Sequence, residues 1–438
     1  MLKKFKQHLH QNFPFLEDGK LLIAISGGID SVVLAHLCSQ LNLNFSLCHC
    51  NFNLRGQESN DDEAYVKDLA KNLQVPVYTS SFETEKYATK NKVSIQVAAR
   101  DLRYAWFYEL LENKQYDYVL TAHNTNDNLE TFIINLTRGT GLEGFTGIPP
   151  INNKAVRPLL AFSRDDITLF AIKNEIDWRE DKSNASIKYI RNKVRHKVIP
   201  ILQEINPHVL ESFQNTLEYL NESQSIINDA TKNISQKIVS YEHNLLTLNC
   251  KKLNELPNKK AYLYQLLHTY GFTAWNDVVD LVSGQPGKQV FSKTHRLLKD
   301  RNFLILTTNN QNLTEKGPFL IKETSAEISH PIKLTILNTA DSTPENKHQI
   351  IINKDLVTYP LSLKKWRHGD AMHPTGMTGS KKISQLFKDK KLSLLDKEKI
   401  WLLADAKDRI IWVIGLRQDR RFTADKTATN RLKISFIS

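Results

Sequence analysis

Apolar positions in the first 140 residues follow two alternating rhythms. Short apolar runs at Leu21–Ser26, Phe45–Asn51, Val75–Ser81 and Tyr118–His123 predict strands. Between them apolar residues recur at helical spacing: Val32, Val33, Leu34 and Leu37 after the first run, Ala64, Leu69 and Leu73 after the second. The third interval predicts a long helix with Ile95, Ala98, Ala99, Leu102, Ala105, Trp106 and Leu110 on one face, and another helix opens near Asn126. Leu2, Phe5 and Leu9 also have helical spacing. Strands alternating with helices predict an α/β class, a doubly wound parallel sheet whose ligands bind at the carboxyl ends of the strands.

The rhythm changes around Pro200–Pro207. Leu210–Thr231, Lys259–Tyr270 and Trp275–Ser283 read as helices and end in an apolar run near Phe303–Leu306. Residues 308–349 are rich in Asn, Thr and Ser and read as a mobile connection with short strands. From Ile350 short runs alternate with turns. The expected organisation is therefore a parallel-sheet domain over 1–205, a helical middle domain over 206–320 and a small α+β domain over 350–438. No internal repeat is evident.

Composition and charge narrow the class. A hydrophobic share of 41% with 24% charged residues fits a folded chain and excludes intrinsic disorder, and 438 residues imply two or three domains. The balance of 59 Lys+Arg against 47 Asp+Glu leaves +12, which suggests a polyanionic partner. Pro360–Ser438 holds 18 basic and 8 acidic residues, leaving 41 and 39 for residues 1–359. Cys38, Cys48, Cys50 and Cys250 make no disulfide framework and no zinc spacing; Cys48 and Cys50 read as buried strand thiols beside His49. No apolar run approaches the ~20 residues of a membrane span, and the basic start lacks a signal-peptide core. A cytoplasmic protein with no membrane partner is expected.

Candidate chemistry begins at Ser26-Gly27-Gly28-Ile29-Asp30-Ser31, between the first strand and its helix. Two glycines let backbone N–H groups close around phosphate oxygens, and the helix N-terminus adds positive potential. Ser26 and Ser31 can donate hydroxyls, while Asp30 can hold Mg²⁺ or a terminal amide. A second group follows the fourth strand: His123, Asp127 and Glu130, spaced i, i+4, i+7. On a helix they stack on one face, where they could hold Mg²⁺, orient a phosphate or grip an amine. The plainer alternative is helix capping by Asn126 or Asp127 with Glu130 solvated. Arg100 and Arg103 share a helix face, which by itself reads as a solvated face or an Asp101 pair. Lys188, Arg191, Lys193, Arg195, His196 and Lys197 form a basic run without an acid, and Arg191 and Arg195 are suited to phosphate contacts.

The hexapeptide resembles the SGGxDS loop of the N-type ATP pyrophosphatases, the PP-loop superfamily, which adenylate an oxygen and release pyrophosphate. No Gly-Lys-Ser/Thr is present, so γ-phosphate transfer is disfavoured. Further motifs stand in the order of one family, the bacterial tRNA(Ile)-lysidine synthetases. They are His49/Asn51 with Leu54-Arg55-Gly56, Ala99-Arg100 with Arg103-Tyr104, and Thr121-Ala122-His123 with Asp127 and Glu130-Thr131. Arg138-Gly139-Thr140-Gly141-Leu142, Arg157-Pro158-Leu159-Leu160, Glu180-Asp181-x-Ser183-Asn184 and Arg191–His196 continue the series, and Gly369-Asp370, His373-Pro374 and Gly379-Ser380-Lys381-Lys382 match its C-terminal domain. The family commonly has His-His-x-Asp-Asp-Gln where this chain has His123-Asn124-Thr125-Asn126-Asp127-Asn128.

The resemblance implies ligation of L-lysine to C2 of the wobble cytidine of an isoleucine tRNA with a CAU anticodon. ATP would sit on Ser26, Gly27, Gly28, Ile29, Asp30 and Ser31, with Mg²⁺ at Asp30 and Asp127. His123 would steady the α-phosphate, and Arg103, Asp127 and Glu130 would shape the cytidine and lysine pocket. Arg55, Arg191, Arg195 and His196 would grip the tRNA, joined by the basic C-terminal domain. A tRNA thiolase and a non-catalytic tRNA-binding protein are the alternatives, and a homodimer is compatible with the pattern.

Overall fold

The first strand, β1 (Leu21–Ala24), buries Leu21, Leu22 and Ile23 in succession. A computed structural model shows why: a helix layer covers each face of its sheet. The structure describes all residues except 181–189, 243–244, 310–316, 342, 347, 426 and 438. It divides into two compact units, Met1–Asn228 and Asp229–Ser438.

In the first unit α1 (Leu2–Asn12) precedes β1, and α2 (Ile29–Gln40), β2 (Phe45–Asn51), α3 (Gln57–Asn72) and β3 (Val77–Ser81) follow. Next come α4 (Thr84–Asn91), α5 (Ile95–Asn113), β4 (Tyr118–Leu120), α6 (Thr125–Arg138) and α7 (Leu142–Phe145). The hairpin β5 (Ile151–Asn152) and β6 (Ala155–Val156) leads to α8 (Arg164–Lys173), α9 (Ile190–Lys193), α10 (Ile199–Ile205) and α11 (Val209–Ile238), whose residues after Asn228 belong to the second unit. The sheet order is β3-β2-β1-β4-β6-β5, parallel except for the edge strand β5. Leu21 and Ile23 face a core with Phe5, Val33, Leu37 and Phe170, while Leu22 faces Phe107, Leu110 and Val119. Strands buried on both faces read as continuous apolar runs, which made β1 and β2 legible, whereas β3 at the sheet edge is only half-buried. The order reverses between β1 and β4, and there the carboxyl ends open a crevice. Phe213 and Leu217 of α11 pack with Leu129 and Ile134 of α6, so this unit runs past the expected boundary at 205.

In the second unit the helices Lys259–Leu267 and Trp275–Ser283 lie where the sequence predicts them. A five-stranded antiparallel sheet accompanies them, in spatial order Val239–Glu242, Leu245–Asn249, Phe303–Thr308, His295–Asp300 and Gln289–Phe291. Sequence periodicity missed it because His295–Asp300 buries Leu297, Leu298 and Lys299 consecutively, and Lys299 disguises the strand as polar. Lys299 Nζ is satisfied by the Val282 carbonyl at 2.6 Å. Farther along, Lys333–Asn338 pairs with Arg431–Ile437, and Phe319–Ile321 pairs with Leu361–Lys364. The C-terminal sheets therefore reach back to Phe319, upstream of the expected start at 350. Ile321, Leu334, Ile350, Leu363, Trp412 and Ile434 share their core.

Candidate active site

The turn from β1 into α2 has to reverse direction within a few residues, and Gly27 does so at φ +88°, a conformation that favours glycine. Gly28 is the N-cap of α2. Ser31 then knits the turn: its Oγ donates to the Gly28 carbonyl at 2.9 Å and accepts from the Ser26 backbone N–H at 3.1 Å. Ser26 Oγ lies 3.2 Å from Ser31 Oγ. The loop is thus preformed, with the N-terminus of α2 facing the crevice. Asp30, in the first turn of α2, accepts from Asn124 Nδ2 at 3.0 Å and from Arg164 Nη1 at 2.6 Å. Burial pushes its carboxyl above the usual range, Arg164 opposes that, and the nearby Asp127 charge adds to it.

Asn124, not Asn126 or Asp127, caps α6. Its side chain accepts from the Asp127 N–H at 3.0 Å while Asp127 Oδ2 accepts from the Asn124 N–H at 3.1 Å. His123 lies before the helix, so the predicted i, i+4 stack fails; the strand end, not a helix face, brings it to the site. Its Nδ1 is 3.1 Å from Thr121 Oγ1. Burial, with Arg157, Arg191 and Arg103 nearby, lowers the imidazole pKa to about 4 against the pull of Asp127. It is therefore neutral at pH 7.

Glu130 is wholly buried, which excludes the solvated alternative. Arg195 Nε donates to its Oε1 at 2.6 Å, and Arg195 Nη2 donates to Asp127 Oδ1 at 3.2 Å. Arg191 Nε stands 3.3 Å from Glu130 Oε2, and its Nη2 donates to Thr131 Oγ1 at 2.7 Å. Oε2 has no hydrogen bond of good geometry. Burial raises the Glu130 pKa, with Arg195 opposing. Arg195 and His196 sit in a π-helical stretch, Val194–Val198, between α9 and α10. Arg191 and Arg195, expected on the tRNA backbone, are thus turned inward, because a buried carboxylate needs compensation that solvent cannot supply.

A cavity of about 880 Å³ joins these groups. Ser26, Gly28, Ile29, Asp30, Ser31, Arg55, Arg103, His123, Asp127, Arg191, Arg195 and His196 all line it. Of the expected site residues only Gly27 and Glu130 stand back from the wall, Gly27 within the loop and Glu130 behind Arg195. Arg103 places its guanidinium 5.2 Å from the Phe52 ring centre, whereas Arg100 lies over Tyr104. Arg55 Nη2 pairs with Asp62 Oδ2 at 2.8 Å. Lys188, Ser183 and Asn184 lie outside the described residues. Among the described residues no three His, Cys, Asp or Glu side chains gather as a metal cluster, and no helix is long and apolar enough to cross a membrane. Asp30 and Asp127 both line the cavity and the Asp127 charge acts on Asp30; one or two carboxylates beside phosphate oxygens is the donor set that Mg²⁺ takes.

Family models match along the chain: a PP-loop domain over residues 1–202, a TilS substrate binding domain over 240–309 and a TilS substrate C-terminal domain over 361–434. The tRNA(Ile)-lysidine synthase of Parabacteroides distasonis is 38% identical over 96% of this chain and 96% of its own length. The chain belongs to the tRNA(Ile)-lysidine synthase family. The Bacteroides thetaiotaomicron and Porphyromonas gingivalis (strain ATCC 33277) members are 36% and 34% identical, covering 96% and 94% of this chain and 95% and 93% of theirs. Its PP-loop domain implies ATP use.

In this lysidine synthase family member, the cavity residues that sequence reasoning overlooked include Asp62, Arg164, Trp178 and Arg179. Asp62 accepts from Arg179 Nε at 2.9 Å as well as from Arg55, and the Arg179 N–H donates to the Gly27 carbonyl at 2.9 Å. Arg157, also overlooked in this role, is buried behind the wall and donates to the Pro149 carbonyl at 2.7 Å. One signal was available for Arg164, which follows Ser163 in a Ser-x-x-Asp capping box and so opens a helix. The others depend on contacts between segments distant in sequence.

Proposed function

We propose that this chain ligates L-lysine to C2 of the wobble cytidine in a CAU-anticodon isoleucine tRNA, changing its decoding from AUG to AUA. The observation that carries the reading is a cavity in which a preformed phosphate loop faces Asp127, with Glu130 buried just behind the wall and both carboxylates held by Arg195. Ser26–Ser31 hold ATP, and Asp30 with Asp127 hold Mg²⁺, which neutralises phosphate charge when bound. The cytidine C2 oxygen attacks the α-phosphorus and pyrophosphate leaves. His123, neutral at pH 7, hydrogen-bonds near the α-phosphate, and Arg103 steadies the base.

Lysine then attacks C2 through its ε-nitrogen, and AMP leaves with the oxygen. That nitrogen reacts only when neutral, so the ammonium must first lose a proton. Glu130 and Asp127 attract the ammonium, and Glu130, with its raised pKa and a lone pair left on Oε2, accepts the proton. Arg191 and Arg195 yield the carboxylates to the ammonium and turn to the tRNA backbone beside Arg55 and His196. Thiolation is disfavoured because burial pushes the Cys50 thiol up to about 12 and raises Cys48 as well, leaving no thiolate to relay sulfur.

The test measures AMP and pyrophosphate released from ATP with an isoleucine tRNA transcript, with and without lysine. Lysine-dependent turnover with a lysine-tRNA adduct is expected. Absence of AMP refutes the reading, and lysine-independent turnover that needs a sulfur donor favours the thiolase.

A further inference from the structure

Asn126 stands where the resembling family commonly has an acid, and the structure gives its amide a different task. Its Oδ1 accepts the backbone N–H of Arg164 at 2.9 Å. Arg164 is the first residue of α8, and that N–H is one of the four helix donors with no acceptor inside the helix. The Ser163–Asp166 capping box serves other groups: Ser163 Oγ takes the Asp166 N–H at 3.1 Å, and Asp166 Oδ2 takes the Ser163 N–H at 3.1 Å. Asn126 thus ties the start of α8 to the first turn of α6. From that anchored position the Arg164 side chain reaches Asp30 of the phosphate loop at 2.6 Å. Asn124, two residues before Asn126, holds the other Asp30 oxygen at 3.0 Å.

This arrangement answers an electrostatic difficulty. A phosphate loop that carries a carboxylate repels the polyanion it must bind. Arg164 neutralises Asp30 while remaining two-fifths exposed to the cavity. Among the described residues its guanidinium makes a single hydrogen bond, so most of its five donors face no protein acceptor. An arginine fork suits a phosphate oxygen as well as a carboxylate.

We propose that Asn126 and Arg164 are a phosphate-binding pair: Asn126 is a positioning residue that sets the start of α8, and Arg164 passes from Asp30 to a phosphate oxygen as the nucleotide binds. This rests on the ATP reading above. Arg191 and Arg195 hold the acid pocket; Arg164 serves the phosphate end.

Calorimetric titration of the full chain with ATP and excess Mg²⁺ tests it. Arg164→Ala is expected to weaken ATP binding ~tenfold or more, the usual effect of losing a charge-assisted hydrogen bond, while adenosine binding is unchanged. Asn126→Ala should weaken ATP ~threefold, and Asn126→Asp, which keeps the acceptor, should restore it. Thermal melts confirm that each variant folds, and Arg164→Lys serves as a second variant that retains the charge. A double-variant cycle with Asp30→Asn, titrated with ATP in EDTA so that no cation requires Asp30, separates the two roles of the arginine. Arg164→Ala should still weaken binding in the Asp30→Asn background. If its cost vanishes there, Arg164 serves only Asp30 and the proposal is overturned. An Asn126→Ala protein that binds ATP like the parent overturns the positioning role. Failure of the parent chain to bind ATP refutes the nucleotide reading itself, whereas normal parent binding with an unaffected Arg164→Ala refutes this proposal alone.

Discussion

Arg195→Ala is the most informative perturbation of the site, because it removes one member of a buried ion cluster and leaves the carboxylates behind. Glu130 has no exposed surface, and Arg195 Nε reaches it at 2.6 Å while Nη2 reaches Asp127 at 3.2 Å. Breaking a buried pair on one side typically costs about 3–5 kcal/mol. Two features reduce that here: Arg191 remains 3.3 Å from Glu130 Oε2, and the Arg195 side chain is itself 29% exposed. A loss of about 2–4 kcal/mol is expected, which lowers a urea midpoint by roughly 1 M for a unit of this size. Unfolding should be followed by circular dichroism at several pH values. Burial already raises the Glu130 pKa, and losing Arg195 raises it further. The variant's folded state then holds its proton to higher pH than the parent does. The deficit is therefore full above the variant's raised pKa and shrinks as pH falls through it towards the parent's value. Adding Glu130→Gln, which removes the stranded Glu130 charge and leaves only the partly exposed Asp127 short of its arginine, should recover ~1–2 kcal/mol. A single variant within ~0.5 kcal/mol of the parent, or a double variant less stable than the single, would refute the charge argument.

Other outcomes follow from the same geometry. The His123 imidazole sits at about 4, so the unfolded chain binds a proton between about pH 4 and 6.5 that the folded chain does not, and folding stability falls as pH drops through that window. Replacing His123 with Gln should remove about 2 kcal/mol of the difference in stability between pH 7 and pH 5; an unchanged pH dependence in urea titrations would contradict the burial argument. Asp30→Ala should abolish AMP formation while filter binding shows tRNA affinity retained, and loss of tRNA binding would instead make the loop a folding element. Lys382, exposed in the basic C-terminal region, should when changed to Ala reduce the slope of log affinity against log salt by about one if it contacts a phosphate.

Periodicity along the chain was enough to place β1 to β4 and their helices, because the central strands of a parallel sheet covered on both faces are continuously apolar and the half-buried edge strand β3 still carries Val77 and Tyr78 between its helices. It did not reveal the middle sheet, where Lys299 is buried on a strand, nor the reach of the C-terminal sheets back to Phe319. The chemistry divides the same way. Ser26–Ser31 declares itself locally, since a glycine turn between a strand and a helix is set by neighbouring residues. Glu130 illustrates the opposite case: four residues past the predicted helix start it could have been a solvated first-turn acid, and only the packing of the Val194–Val198 stretch against α6 makes it a buried partner of Arg195.

By itself, then, the sequence determined the fold class of the first unit, the phosphate loop and the basic excess after Pro360, all features written in local spacing and residue type. Tertiary structure alone decided which charges meet. It set Arg164 on Asp30, Arg55 and Arg179 on Asp62, and Arg191 and Arg195 on the acid pocket. Those pairings join residues 7 to 134 positions apart. Low local dielectric and the need to compensate every buried charge select them, and neither condition exists until the chain has folded.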